Sequence, residues 1–410
     1  MVKTLKFGGT SVGSAANMRR VADIIIAQNA RLTVLSAMSG TTDALIAITG
    51  DQLDKIATLE EKYSHCINEL LTDPSEAMQA FEASFDVIRN SKNPYKIIAQ
   101  GEILTTKIFT LYLQQCGVKA KWLYSPDFVV KDDQGHAKVS APSIENDTFY
   151  VTQGFICSDE RGAICNLGRG GSDYSAALIG VAISSSEVQI WTDIDGMHTG
   201  DPRFVEGTHP ISTMSFDEAA ELAYFGAKIL HPSTILPCRE AKVDVLLKNT
   251  MDPAAAGTRI TSHTDDKVTF LAAAAKDNIT LVRITSDRML LAYGFLRRVF
   301  EIFERHSTPI DMITTSEVAV AITVDDTTHI EIIKRELSEL GHIEVETNNS
   351  IVCVVGHLAY DQSGMASRIF DTINTIPVKM VSYGASHRSV SLLVDSTHKR
   401  EVLQLLNSLF

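Results

Sequence analysis

At 410 residues the chain exceeds one ordinary core, so two or three domains are expected. Apolar residues at 45% and charged residues at 21% describe a globular protein, with no apolar run near the ~20 residues needed to span a bilayer. A net charge of −13 argues against a general nucleic-acid-binding surface and leaves room for a local basic pocket for a small anion.

Val2-Lys3-Thr4-Leu5-Lys6-Phe7 reads as a strand that enters Gly8-Gly9-Thr10-Ser11 and then a helix from about Asn17 to Asn29. A lysine at the edge of a Gly-Gly loop suits a phosphate, and the same residues suit a plain β–α turn. No Gly-Lys-Ser/Thr closes the loop, so it is not a P-loop. The N-terminus enters this strand at once, without a signal-peptide layout, and a cytoplasmic protein is expected. Leu32 to Ser36 is a second buried strand, opening into the hydroxyl-rich Ala37-Met38-Ser39-Gly40-Thr41-Thr42-Asp43. Small polar residues at a strand's carboxyl end fit ligand binding, and they fit N-cap chemistry equally.

Residues 52–92 read as amphipathic helical scaffold. A further helix begins near Ile97 and carries Glu102 in its first turns, either solvated or poised to grip an ammonium group. Val118 to Leu123, Phe128 to Val130 and Phe149 to Cys157 read as strands leading to Gly168-Arg169-Gly170-Gly171-Ser172-Asp173. Three glycines in four positions bare the backbone, Arg169 offers a two-pronged cation and Asp173 a carboxylate. The helix after this loop turns its positive end towards it.

Glu187 to Thr192 is a buried strand ending in Thr192-Asp193. Asp195-Gly196 is a turn, followed by His198 and Arg203. A helix over 215–223 precedes Phe225-Gly226-Ala227-Lys228, where Lys228 is either a second phosphate cation or a solvated helix lysine. Val243 to Lys248 is a late strand, and 259–267 reads as linker. Beyond residue 268 short strands and helices alternate. Two βαββαβ-like units, with strands beginning at Ile279 and Ser350, form a repeat of roughly 65 residues. Such units commonly associate edge to edge, which favours a homo-oligomer. Six scattered cysteines, with no Cys-x-x-Cys pair, read as buried or free thiols in a reducing cytoplasm. Twelve histidines show no metal-ligand spacing, so no protein-only metal site is expected.

Taken together, Lys6-Phe7-Gly8-Gly9-Thr10-Ser11, Gln100-Gly101-Glu102, Gly168 to Asp173, Trp191-Thr192-Asp193, Asp201-Pro202-Arg203 and Phe225 to Pro232 closely resemble the aspartokinases. The resemblance implies an α/β amino-acid-kinase fold, an open, mostly parallel sheet with helices on both faces, over 1–267. Two tandem ferredoxin-like ACT units would follow, over 279–346 and 350–410, with strand exchange between them. It implies phosphoryl transfer from ATP to the β-carboxylate of L-aspartate. Lys6, Asp173 and Lys228 would be catalytic. Thr42, Glu102, Arg169 and Ser172 would bind aspartate. Lys6, Gly8, Gly9, Thr192, Asp193, His198, Arg203 and Lys228 would bind ATP, with Mg²⁺ carried on its phosphates.

The length and Asp311 to Val318 resemble the lysine-sensitive type, which implies an effector site at Met289, Ala292, Phe295, Leu296, Asp311, Ser316 and Glu317. Two positions depart from that type. His198 replaces a tyrosine. Ala292 replaces a serine, a loss of about 1 kcal/mol of hydroxyl contact that implies weaker or shifted effector binding. Two other readings stand beside this one: another amino-acid kinase, acting on glutamate or a carbamate-like acid, and a non-catalytic amino-acid sensor. The Arg169–Glu102 pair and the tandem tail argue against the first. Lys6, Asp173 and Lys228 argue against the second.

Overall fold

The computed structural model describes residues 2–50, 52–226, 234–262, 264, 268–289, 293–358 and 363–410. In chain order the first stretch carries β1 (Lys3–Phe7), α1 (Ala15–Gln28), β2 (Leu32–Leu35), α2 (Thr41–Thr49), α3 (Lys55–Leu70), α4 (Ser75–Asn90), α5 (Pro94–Ile98) and α6 (Gln100–Gln115). Next come β3 (Ala120–Leu123), β4 (Val129–Lys131), β5 (Ala137–Val139), β6 (Phe149–Gln153), β7 (Ile156–Asp159), β8 (Ile164–Asn166), α7 (Gly171–Ala182) and β9 (Glu187–Thr192). The order continues with β10 (Thr213–Ser215), α8 (Phe216–Tyr224), α9 (Leu236–Ala241), β11 (Asp244–Asn249) and β12 (Thr258–Thr261).

One compact unit comprises Met1–Met197, Pro210–Phe216 and Leu230–Thr264. Its main sheet runs β10-β12-β11-β9-β1-β2-β6-β3. All neighbours are parallel except β11 and β12. Parallel strands covered on both faces need unbroken apolar runs, and β2 is buried at every residue. The core packs α1, α3, α4 and α6 around Leu5, Phe7, Leu35 and Trp191. The chain leaves β1 in one direction through β2, and later returns on its other side through β9. The carboxyl ends of β1, β2, β6 and β9 therefore share one edge at the point where strand order reverses. Ligands bind there in open α/β sheets.

Residues 259–267 were expected as linker, but Thr258–Thr261 is β12, with Ile260 fully buried between β10 and β11. The strand expected from Phe149 through Cys157 is two strands, β6 and β7, in different sheets, broken at Gly154-Phe155. The second sheet, β5-β4-β7-β8, leaves little trace in the sequence. Its strands have three or four residues, too short for a periodic signal. Its register sets Cys157 opposite Cys165, with the sulfurs 3.3 Å apart.

The other unit comprises His198–His209, Asp217–Ile229 and Asp265–Phe410. After α8 it adds β13 (Ala272–Thr285), α10 (Phe295–Arg305), β14 (Met312–Thr315), β15 (Ala319–Val324), α11 (Ile330–Leu337), β16 (His342–Val355), α12 (Met365–Thr372), β17 (Val378–Ser382), β18 (Ser389–Asp395) and α13 (Lys399–Leu406). A single antiparallel sheet runs β14-β15-β13-β16-β18-β17. The strands expected to begin at Ile279 and Ser350 are the second halves of 14-residue strands. Polar Lys276-Asp277-Asn278 and Glu346-Thr347-Asn348 break the apolar pattern where the β13–β16 register shifts.

Each long strand serves both halves of the sheet. Thr280–Thr285 pairs with β15, and Ala272–Lys276 pairs with Ile351–Val355. One core gathers Val282, Ile284, Val299, Phe303, Ile322 and Leu337. A second gathers Ala273, Val352, Ile369, Leu392, Val402 and Leu406. Among the described residues, no helix is long and apolar enough to cross a membrane.

Candidate active site

The shared strand edge of the first unit collects the polar groups. Lys6 is the next-to-last residue of β1, with Phe7 between it and the Gly-Gly loop, and is buried. Its Nζ lies 2.6 Å from Asp173 Oδ1, in the first turn of α7. That helix starts at Gly171, three residues earlier than its apolar run suggests. Gly168 and Gly170 take φ of +74° and +71°, a left-handed backbone that glycine adopts without strain. Those two turns aim the start of α7 at β1.

Ser36 Oγ, just past β2, donates to Ser172 Oγ at 3.0 Å. Gly154 leaves room for this contact, since a Cβ there would stand 2.6 Å from the Ser172 Cβ. Phe155 follows with φ of +67°, an unusual backbone for a bulky residue, and its N–H is held by Ser175 Oγ.

One residue beyond Ser36, the Ala37 N–H donates to Glu102 Oε1 at 3.4 Å. Thr42 Oγ1 donates to the same oxygen, also at 3.4 Å. Glu102 is 2% exposed, so the solvated reading does not hold. Burial pushes its carboxyl up to about 8, against the opposing pull of the Ala37 and Thr42 hydrogen bonds. Its Oε2 is buried with no hydrogen-bond partner. Tyr63 supports this corner from below, bonded to Thr105 Oγ1 at 3.0 Å and to the Gly101 carbonyl at 3.3 Å.

On the β9 side, Thr192 Oγ1 donates to Asp193 Oδ1 at 3.1 Å. The Gly8 N–H reaches the Trp191 carbonyl across 3.4 Å, a stretched continuation of the β1–β9 ladder. Gly9 accepts the Ser39 N–H at its carbonyl, 3.1 Å away. Arg169 is exposed. His198 and Arg203 belong to the second unit, where Asp201 grips Arg203 through both carboxylate oxygens, with the shortest contact at 2.6 Å. Lys228 lies outside the described residues.

The structure thus brings Lys6, Asp173, Ser172, Thr42 and Glu102 to one edge of one sheet. Ser36, the Ala37 amide and Phe155, which carry no site motif of their own, join them. For Ser36 the available signal was its place at a strand's carboxyl end. The implied effector residues are less gathered. Phe295 is buried at the start of α10, with Met289 and Leu296 packed against the same core. Asp311 precedes β14, whereas Ser316 and Glu317 lie exposed at the far end of that strand. The four residues of β14 lie between Asp311 and Ser316, and five extended steps span about 17 Å. Ala292 lies outside the described residues.

The model of the amino acid kinase family matches residues 1–249, and that of the ACT domain matches residues 352–410. Lysine-sensitive aspartokinase 3 of Escherichia coli K12 is 34% identical over 438 aligned residues, covering 98% of each chain. The chloroplastic aspartokinase 1 of Arabidopsis thaliana is 31% identical, over 99% of this chain and 79% of its own. The solved structure of E. coli aspartokinase III with aspartate and ADP, in its R-state, covers the whole of both chains at TM-score 0.82 and 32% identity. With these likenesses running the length of the chain, and the motif residues meeting at one sheet edge, this protein belongs to the aspartokinases of the amino acid kinase family.

Proposed function

We propose that the chain transfers the γ-phosphoryl group of ATP to the β-carboxylate of L-aspartate, giving 4-phospho-L-aspartate and ADP. The observation that carries this reading is Glu102. A buried carboxylate with an open oxygen calls for a cation, and the α-ammonium of an amino acid is one that substrate binding supplies. The E. coli relative solved with aspartate and ADP supports the same substrates. Replacing Glu102 by Gln tests the assignment: the aspartate KM rises about 100-fold, as for loss of a charge-assisted bond, and the ATP KM stays within about twofold. Equal loss for both substrates would contradict it.

The chemistry needs no general base, because a carboxylate is already a nucleophile at neutral pH. The barrier lies in bringing two anions together and in the charge on the transferring group. Lys6, with the Gly8 and Gly9 amides, holds the γ-phosphoryl. Asp173 fixes the Lys6 ammonium before ATP arrives and orients the reacting groups afterwards. Arg169 takes the aspartate α-carboxylate, Glu102 the α-ammonium, and Thr42 and Ser172 hydrogen-bond the substrate. Thr192, Asp193, His198, Arg203 and Lys228 serve the nucleotide.

Among the described residues, no three His, Cys, Asp or Glu side chains converge as a metal site. Mg²⁺ would be carried on the ATP phosphates and waters, where it would supply charge neutralisation.

Residues 1–267 act as the kinase domain, and 279–346 and 350–410 as ACT regulatory units. The effector is L-lysine, as the E. coli enzyme's lysine complex and name suggest. The distance between Asp311 and Ser316 favours a site completed by a second copy of the chain, hence a homo-oligomer joined through its ACT units.

A further inference from the structure

Asp311 has more partners than an empty effector pocket requires. Its side chain is 2% exposed, and Lys276 Nζ lies 2.6 Å from Oδ1. Tyr224, the last residue of α8, donates its hydroxyl to the same oxygen at 2.9 Å. The Lys276 ammonium also stands 4.8 Å from the centre of the Tyr224 ring, and 3.0 Å from Asp325. The second oxygen of Asp311 is buried with no hydrogen-bond partner. One face of this carboxylate is therefore tied to α8 and β13, and the other is open.

The rest of α8 is fastened to the same unit. At its start, Glu218 accepts from Arg388 Nη1 at 3.2 Å. Just past its end, Gly226 packs so closely on β13 that a Cβ would stand 2.1 Å from the Ala275 carbonyl oxygen. Lys228, the implied nucleotide cation, follows Tyr224 by four residues.

We infer that Tyr224, Lys276 and Asp311 form a relay that carries effector occupancy to the end of α8, with Tyr224 as its positioning residue. This rests on the reading of Asp311 as part of an amino-acid effector site. An effector ammonium at the open oxygen puts a second cation on a carboxylate that already holds Lys276. Lys276 has another acceptor within reach in Asp325, so the like charges separate by its moving there. That movement takes the ammonium off the Tyr224 ring and loosens the carboxylate's hold on the Tyr224 hydroxyl. The end of α8 then has two arrangements, and the effector biases between them by its different contacts in each.

The test uses the full-length chain and the Tyr224→Phe variant, which keeps the ring and removes the hydroxyl. Calorimetry measures lysine binding, and ADP release measures inhibition. Tyr224→Phe is expected to turn over within about twofold of the unaltered chain without lysine and to bind lysine within about threefold. Half-inhibition should need at least about tenfold more lysine, within the usual range of allosteric coupling. A structural role alone would not separate binding from inhibition. Lys276→Met gives a second reading with the opposite sign, binding lysine more tightly while responding less. Tyr224→Phe inhibited like the unaltered chain overturns the relay and leaves the effector site standing. An unaltered chain that binds no lysine in the calorimeter overturns the effector site and the relay together.

Discussion

Lys6 Nζ and Asp173 Oδ1 meet at 2.6 Å across the gap between β1 and α7, although 167 positions separate them in the chain. Each side chain is largely shielded, so each needs the other until a phosphate takes the ammonium. Lys6→Ala is expected to lower kcat by at least about 100-fold, the scale of losing one preorganised charge contact in a transition state. Steady-state ADP release checks this, and a far-ultraviolet circular dichroism spectrum like the unaltered chain's shows that the fold survives.

Glu102 gives the site a pH signature. Burial holds its carboxyl at about 8, well above the ordinary glutamate range, so the free protein carries it mostly protonated at neutral pH. An ammonium needs the carboxylate, and aspartate binding should therefore release a proton below pH 8. The aspartate KM is expected to rise about tenfold per pH unit as pH falls below 8, and to level off above it. Titration calorimetry in buffers of different ionisation heat counts the proton. Glu102→Gln removes both effects.

The same group affects stability with a definite sign. Its folded value is raised, so the fold favours the protonated form. Its contribution is most favourable below the ordinary glutamate range and is lost as pH rises to about 8. Relative to the unaltered chain, Glu102→Gln should gain thermal stability across that window. Melting curves at pH 5 and pH 8 check it: the difference in Tm grows with pH.

Gly154 is expected to tolerate no side chain. A methyl group there would overlap Ser172 and push back the start of α7. Gly154→Ala should cost about 1–3 kcal/mol of stability and raise the aspartate KM. Urea unfolding and the kinetics of the same preparation measure the two losses.

Arg169 is exposed between two left-handed glycines, without the buried partners that fix Lys6. Its proposed role depends on a planar fork meeting a carboxylate, which an ammonium reproduces in charge but not in geometry. Arg169→Lys is expected to raise the aspartate KM roughly tenfold with little change in the ATP KM. Initial rates with each substrate varied in turn decide it.

Much of the kinase sheet was legible because parallel buried strands such as Leu32–Leu35 are short apolar runs ending in glycine or hydroxyl residues. The Lys6 loop, Glu102 and the Arg169 loop carried signals of residue type and local pattern. What local pattern could not reveal was pairing. Cys157 and Cys165 look unrelated eight positions apart, and only the β7–β8 register sets them opposite. Strands β13 and β16 looked half their length because polar residues at the register shift interrupt the apolar pattern. Glu102 could be read as solvated or as poised to grip an ammonium group, and long-range packing removes the solvated reading. The link between Tyr224 and Asp311 spans 87 positions and leaves no trace in either neighbourhood.

ADP release by the purified chain with ATP and Mg²⁺, comparing L-aspartate with L-glutamate and adding L-lysine, tests substrate and effector in one assay. Turnover is expected to require L-aspartate and to fall as lysine is added. Turnover with glutamate in place of aspartate, or none with aspartate, would contradict the proposed function.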